Sequence, residues 1–475
     1  MALPLLICGW GGGIASDFAS MLGSLVFKWY GCKPREAKMR LLKFLLSGFI
    51  GAAIIAPLGS VSYAEEDSLY VPLYTYRTGP FAANGVKVAN GLNAYFEMIT
   101  KRDGGIEGRK IIWEECEFGY RTDRGVECYE RLKGKKPLVS NPFSTGLTYK
   151  LVPKARVDKI PLLTMGYGFS GAADGRWFPW VFNFPTTYWS QASAFIKYIG
   201  AEMGGMENLR DKKIGFIFLE SGYGKEPIHL LEVLGEKFGY KLKTWAVPMA
   251  QMQDQRSQWR KIARWKPDYM FMWGWGNMNA TAISRASEFG FPMDKFIGVW
   301  WSGDEVDTRP AGLKAKGYRA ATFHAPGDFS RLHKDILEYA YGGDIELAKE
   351  HDYGDVLWSR GVFNAMLIAE GLRNAIVEFG GTITGEEMRW GLEHINLTDE
   401  RLEELGATGF GKPFKVTCAD HEGSGPVLFQ EWDGEKWVIV SDWIEPMKEV
   451  VRPMLEEAAS KEAEKWNYEI RKDCS

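Results

Sequence analysis

In Asn141-Pro142-Phe143-Ser144-Thr145-Gly146, two hydroxyls stand where a strand-like run hands over to a helical one. The first N–H groups of a helix have no partner inside it, so such a start attracts a carboxylate. Ser144 serves equally well as an ordinary helix cap, and the two roles are compatible. A second chemistry is stacking. Trp273-Gly274-Trp275-Gly276 and Trp300-Trp301-Ser302-Gly303-Asp304-Glu305 place indoles beside glycines at strand ends. Broad flat faces there suit an apolar or planar ligand, or a cation, with core packing as the competing use. Three further turns belong with these. Gly79 shapes the turn of Arg77-Thr78-Gly79-Pro80-Phe81, and Phe81 can wall a pocket. Gly166-Tyr167-Gly168 permits close backbone approach beside a tyrosine. Ser221-Gly222-Tyr223-Gly224 ends another strand, and Thr186, Thr187 and Tyr188 bridge the two halves of the chain. Each of these also reads as an ordinary turn or as linker packing.

Catalytic patterns are missing. There is no Walker motif, HExxH or GxSxG, and the six histidines are scattered. Asp420-His421-Glu422 reads as a polar turn in preference to a metal site. No CxxC spacing points to zinc or redox chemistry. No convincing acid–base pair stands out, and no metal-ligand set is expected; absence of a motif does not by itself exclude catalysis.

The elements that must position these loops alternate in type. Leu69–Tyr76, Ile111–Glu115, Pro137–Ser140 and Ile160–Met165 are strand-like. Helical periodicity fills the gaps over Gly85–Arg102, Thr122–Leu132 and Thr145–Val157. The rhythm restarts after residue 190. Strands are expected at Lys213–Leu219, Lys241–Val247, Tyr269–Trp273 and Phe296–Trp301, and helices at Gln191–Glu202, Glu226–Phe238, Gln258–Trp265 and Asn279–Phe289. This predicts an α/β fold of two Rossmann-like lobes with parallel sheets, split near residues 183–190. Long helices follow at Val356–Phe379 and Gly385–Glu393. Short strands then lie at Phe414–Cys418, Val427–Trp432 and Lys436–Val440, the last two turning at Asp433-Gly434. A charged helix, Pro453–Trp466, closes the chain, with proline expected in its first turn. Ligands of open α/β sheets sit beyond the carboxyl ends of the strands, so two facing lobes make a cleft lined by these loops.

Composition agrees with this class. The chain has 475 residues, 45% of them hydrophobic, a formal charge of -3 and 19 tryptophans. That is enough for two cores, and it offers no basic surface for nucleic acid. Residues 39–64 form an export signal: Arg40 and Lys43 after Met39, an apolar run over Phe44–Leu58, and Ser62-Tyr63-Ala64 as a small-x-small cleavage site. A membrane anchor is the alternative, but the run is short and interrupted by Pro57. Residues 1–38 read as a mis-called upstream extension or a long leader. No cysteine stands at the cleavage point, so no lipoprotein anchor is expected. Removing residues 1–64 takes away six basic and two acidic residues and leaves the exported chain more acidic. Four cysteines remain, in a compartment that permits disulfides. A helix folding back on its strand would join Cys116 to Cys128; two buried thiols are the other reading.

Taken in order, LYVPLYTYRTGPFAANG, GGIEGRKI, NPFSTG, IPLLTMGYG, SGYGKE, WKPDYMFMWGWG and GVWWSGDE resemble one family. It is the Leu/Ile/Val-binding group of type I periplasmic solute-binding proteins of ABC importers, and the match spans residues 65–447. The resemblance implies lobes joined by a hinge of three crossings. It places 65–186 and 325–408 in lobe 1, 187–324 and 409–447 in lobe 2, and 448–475 in a terminal helix and tail. It implies a monomer that hands a small solute to a membrane permease and its ATPase and does no chemistry: a binding protein, not an enzyme, with no cofactor. Ser144 and Thr145 match the family's carboxylate-binding helix start, Gly166–Gly168 its backbone loop, and Tyr223 its aromatic in the second lobe. The family's acid at the first crossing is replaced here by Thr187-Tyr188-Trp189. Trp301 and Ser302 stand where its second acid would be, with Asp304 further along. A buried ammonium without a carboxylate is costly, so an aromatic or apolar carboxylate, or a neutral polar solute, is expected in place of an α-amino acid. A ligand-sensing module of the same fold is the second reading, and an exported enzyme the third.

Overall fold

A computed structural model describes residues 68–423 and 425–474. The expected leader, residues 1–64 with its cleavage point, lies outside the described residues. Two sheets organise the chain. In the first, Leu69–Thr75 pairs in parallel with Ile111–Glu117, Leu69 opposite Ile111. On its other side Leu73 bridges Asn141, Ser140 bridges Leu162, and Leu162–Leu163 pairs in parallel with Val181–Phe182. The segment expected as a strand over 137–140 makes only single bridges, because Pro137 and Pro142 flank it and supply no N–H.

The second sheet has seven strands. Lys241–Val247, Lys213–Leu219, Tyr269–Trp273, Phe296–Gly298 and Arg319–Thr322 run in parallel in that order. Leu428–Trp432 and Trp437–Ile439 add an antiparallel edge. Every residue of Tyr269–Trp273 is buried, as a central strand covered on both faces requires. Residues 433–436 close the final hairpin, where Asp433 accepts the N–H groups of Glu435 and Lys436.

Helices Ala82–Asp103 and Val356–Phe379 cross in the layer beside the first sheet. Two glycines let their backbones touch. A Cβ at Gly91 would lie 1.9 Å from the Trp358 carbonyl oxygen, and one at Gly361 2.2 Å from that of Val88. An alanine at either position would push the helices apart.

The chain passes between the sheets three times, and the crossings grip one another. Glu422 is buried and accepts both the N–H and the hydroxyl of Thr187 at 2.8 Å. Thr186 donates to the Gly425 carbonyl. His421 stacks on Phe182 at 4.1 Å and is fully buried. The expectation of a polar turn at Asp420-His421-Glu422 is thus corrected for its last two residues. Both are hinge groups, buried because they satisfy the first crossing.

The terminal helix also departs from expectation. It starts at Lys448 and runs to Lys465, so Pro453 lies inside it and not in its first turn. The ring sits on the exposed side. The stripe Val451, Leu455, Ala459 and Ala463 is buried and carries the helix across the missing hydrogen bond. Cys116 is bonded to Cys128, and Cys418 to Cys474. The second bridge ties the tail to the third crossing. Helix Arg331–Tyr341 and strand Arg319–Thr322 are present although neither is among the expected elements. Among the described residues no helix is long and apolar enough to cross a membrane.

Candidate functional site

A small cavity lies between the two sheets. It is lined by Tyr76, Tyr120, Phe143, Ser144, Thr145, Tyr167, Tyr188, Tyr223, Trp275 and Trp301. Most of them follow the carboxyl end of a strand: Tyr76 after Leu69–Thr75, Tyr120 after Ile111–Glu117, Tyr167 after Leu162–Leu163. Tyr223 follows Lys213–Leu219, Trp275 follows Tyr269–Trp273, and Trp301 follows Phe296–Gly298. Tyr188 opens the helix after the first crossing. None of the ten lining residues carries a charge.

The walls meet across the cleft. Tyr76 and Trp275 rings are 6.4 Å apart and those of Tyr167 and Trp301 5.9 Å, while Tyr188 and Tyr223 meet at 5.3 Å on the second lobe's own side. The lobes are closed on each other.

Hydrogen-bond arithmetic makes the cavity rich in donors. Ser144 Oγ accepts from the Leu147 N–H as the helix cap. Thr145 Oγ1 accepts from the Gly168 N–H at 3.2 Å. Tyr188 OH accepts from Trp301 Nε1 at 2.9 Å. Ser144 also bonds the Tyr120 hydroxyl and Thr145 that of Tyr188, so each of these two pairs keeps one O–H to give. The N–H groups of Thr145 and Gly146 open helix Thr145–Asp158 without a carbonyl of the preceding turn. Burial pushes the phenols of Tyr76, Tyr167, Tyr188 and Tyr223 far above their ordinary value, so all remain protonated donors. Two are already committed: Tyr167 to Asn141 Oδ1 and Tyr223 to the Gly274 carbonyl. What such a site lacks is an acceptor, and a carboxylate brings two.

Of the residues singled out from sequence, Ser144, Thr145, Tyr167, Tyr188, Tyr223, Trp275 and Trp301 come together here. The others lie around the cavity in supporting positions. Gly79 is in its turn, with Gly119 O 3.4 Å from where a Cβ would sit. Phe81 packs on Tyr120 at 4.4 Å and abuts Gly276 across the cleft. At Gly166 a Cβ would strike the Thr186 carbonyl and the Trp300 ring, and Gly168 supplies the N–H to Thr145. Thr187 caps helix Tyr188–Glu202. Trp273 is buried among Phe195, Phe216 and Tyr188. Ser302 donates to the Gly274 carbonyl.

Asp304 faces a different neighbour. It is fully buried and pairs with Lys87 Nζ at 3.0 Å, and Lys87 also pairs with Asp355 and Asp352. Asp304 accepts the N–H of Leu357, and Glu305 that of Val356, so carboxylates from the second lobe cap helix Val356–Phe379. Burial would raise Asp304, but Lys87 and the N–H groups of Val306 and Leu357 outweigh it and hold the carboxyl below its ordinary range. Asp307 accepts from Asn279 and Asn84 and is pushed up to about 7 by burial and by the charge of Asp304. Asp304, Glu305 and Asp355 converge closely enough for a cation, and the Lys87 ammonium is the cation paired with two of them.

The lining residues missed in the sequence are Tyr76, Tyr120 and Phe143. Tyr76 and Tyr120 obey the same strand-end rule, and Phe143 stands directly before Ser144. Attention to Gly-flanked aromatics passed over rings that simply follow a strand.

Comparison with known proteins agrees with this architecture. Residues 68–436 match the periplasmic binding protein family. A solved structure from the Pseudomonas fluorescens group, described as an ABC transporter permease, is 38% identical; the alignment covers 86% of this chain and 100% of that one, with a TM-score of 0.80. A branched-chain amino acid ABC transporter protein from Thermus thermophilus with bound valine is 18% identical, with coverages of 82% and 99% and a TM-score of 0.68. A solute-binding protein of an ABC transporter from Rhodopseudomonas palustris BisB5, in complex with 3,4-dihydroxybenzoic acid, is 19% identical, with coverages of 80% and 98% and a TM-score of 0.63. No curated protein matches. With its sheets, crossings and strand-end cavity in place, and with a family match over most of its length, the chain belongs to the periplasmic binding proteins.

Proposed function

We propose that the chain is the exported receptor of an ABC importer and that it captures a small apolar or aromatic carboxylate in the closed cavity. It then delivers the solute to an inner-membrane permease and its ATPase. The observation that carries this reading is the lining: ten residues, none charged, seven of them Tyr or Trp, around a helix start with spare donors. Ser144, Thr145 and the backbone at Gly166–Gly168 receive the carboxylate. Tyr188, Tyr223, Trp275 and Trp301 enclose the apolar body. Gly79, Phe81, Thr187, Trp273, Ser302 and Asp304 hold the walls. An α-amino acid fits less well, because no carboxylate of the lining meets its ammonium. The valine and dihydroxybenzoate complexes among the structural neighbours bracket this range of solutes. In the same reading, residues 1–64 are lost on export and the receptor works as a monomer in the periplasm. Residues 65–186 with 325–408 and 187–324 with 409–447 move as its two lobes.

Thermal-shift screening of the purified protein against amino acids, aliphatic acids and aromatic acids tests the proposal. Stabilisation by one or more of the acids is expected. Stabilisation by leucine and by none of the acids would overturn it.

A further inference from the structure

Behind the cavity wall sits a cation with no counter-ion. Arg360 is on helix Val356–Phe379 and is fully buried. Its guanidinium reaches across to the second sheet. Nη1 donates to the Trp300 carbonyl, Nη2 to Thr322 Oγ1 at 3.1 Å, and Nε to His324 Nε2 at 3.3 Å. These acceptors are all neutral: burial and the charge of Arg360 itself push His324 well below its ordinary value. Among the described residues no carboxylate stands within ion-pair distance of Arg360. Asp304 is near enough for its field to be felt, but Lys87 and two N–H groups already hold it.

The guanidinium lies 4.4 Å from the Phe323 ring and 5.2 Å from the Trp301 ring. Trp301 lines the cavity, and its Nε1–H donates to Tyr188 OH, which also lines it. The cation is therefore one ring away from the ligand space. Water is excluded from this region, so its field reaches the cavity with little screening. A buried charge left unpaired is costly, and that cost falls when an opposite charge arrives nearby. The donors that face the cavity point the same way, since none of them is matched by a protein anion.

We propose that Arg360 sets the charge selectivity of the cavity, so that closure favours a monoanion over a neutral solute of the same shape. Arg360 does not touch the ligand. It is a positioning residue that acts through Trp301 and Tyr188, and the carboxylates that share Lys87 make no ion pair with it. The inference rests on the reading of the cavity as a small-solute site and adds the sign of the ligand's charge.

Matched acid and amide pairs test it by calorimetry: benzoate with benzamide, and isobutyrate with isobutyramide. The wild-type protein is expected to bind the acid of at least one pair about tenfold or more tightly than its amide, as a unit charge at such a distance would produce. Arg360→Gln should bring that ratio close to one and leave amide affinity nearly unchanged, and Arg360→Lys should restore most of it. If Arg360→Gln does not fold, Arg360→Met carries the measurement, with apolar atoms filling the same space. A wild-type ratio near one, or a ratio that survives loss of the guanidinium, overturns the inference and leaves the solute reading intact. A wild-type protein that binds none of the four probes overturns both.

Discussion

Two regions span the same cleft and are built from opposite materials. The cavity has rings and hydroxyls and no charge. Near it, the Lys87 cluster has one ammonium among Asp304, Asp352 and Asp355, with Glu305 and Asp307 buried alongside. Both join the lobes, but with different consequences. A charged pair buried by closure has one strict geometry and pins the lobes in register. A ring-lined space with spare donors tolerates different apolar bodies and discriminates through a few polar atoms. Closing and choosing are thereby assigned to separate residues.

The comparison breaks most visibly at Lys87. Lys87→Met should leave Asp304 buried without its partner and cost about 3–5 kcal/mol, the usual penalty for half of a buried pair. Denaturant unfolding would measure it, and an effect below about 1 kcal/mol would mean that the cluster is not a lock. At the cavity, Trp275→Ala should cost about 2–4 kcal/mol of solute binding, as loss of a buried aromatic anchor does. Its melting temperature should fall far less than that of Lys87→Met; the reverse ranking would erase the proposed division.

Asp307 sharpens the contrast through pH. Its pKa in the folded protein is raised to about 7 by burial and Asp304, whereas an unfolded aspartate titrates near 3.8. A raised pKa means that the folded protein holds the proton more tightly, so this stability is full below about pH 4 and lost as pH rises to about 7. Asp304, Asn84 and Asn279 face the group, and Tyr223 and Tyr318 feel its charge. The melting temperature should fall between about pH 5 and about pH 7.5, and Asp307→Asn should flatten that slope. The smallest effect is expected at Tyr188→Phe. Loss of one O–H should weaken carboxylate binding by about 1 kcal/mol in calorimetry and leave pH dependence alone.

The alternation of strands and helices was legible because it depends on local apolar patterning, and strands such as Lys213–Leu219 and Tyr269–Trp273 have the bounds expected from sequence. So were the hydroxyl pair at Ser144-Thr145 and the tryptophans at strand ends. What stayed hidden depends on distant partners. Asp304 lies in a loop that looks like a ligand loop, but Lys87 on a helix more than two hundred residues away claims it. Glu422 seems a surface acid until Thr187 takes its carboxylate. Arg360 is the one charge in the stretch Val356–Ala369, and nothing in its local sequence says that it faces a carbonyl, a hydroxyl and a neutral histidine. Tyr76 and Tyr120 were hidden for another reason: a single ring after a strand is common, and only the folding of both sheets gathers them.

A crystal structure of the protein grown with an acid that stabilises it addresses the central claim most directly. The solute should fill the cavity among Tyr188, Tyr223, Trp275 and Trp301, with its carboxylate on the Ser144-Thr145 helix start. Solute density at any other place, or a carboxylate pointing away from that helix, would contradict the account.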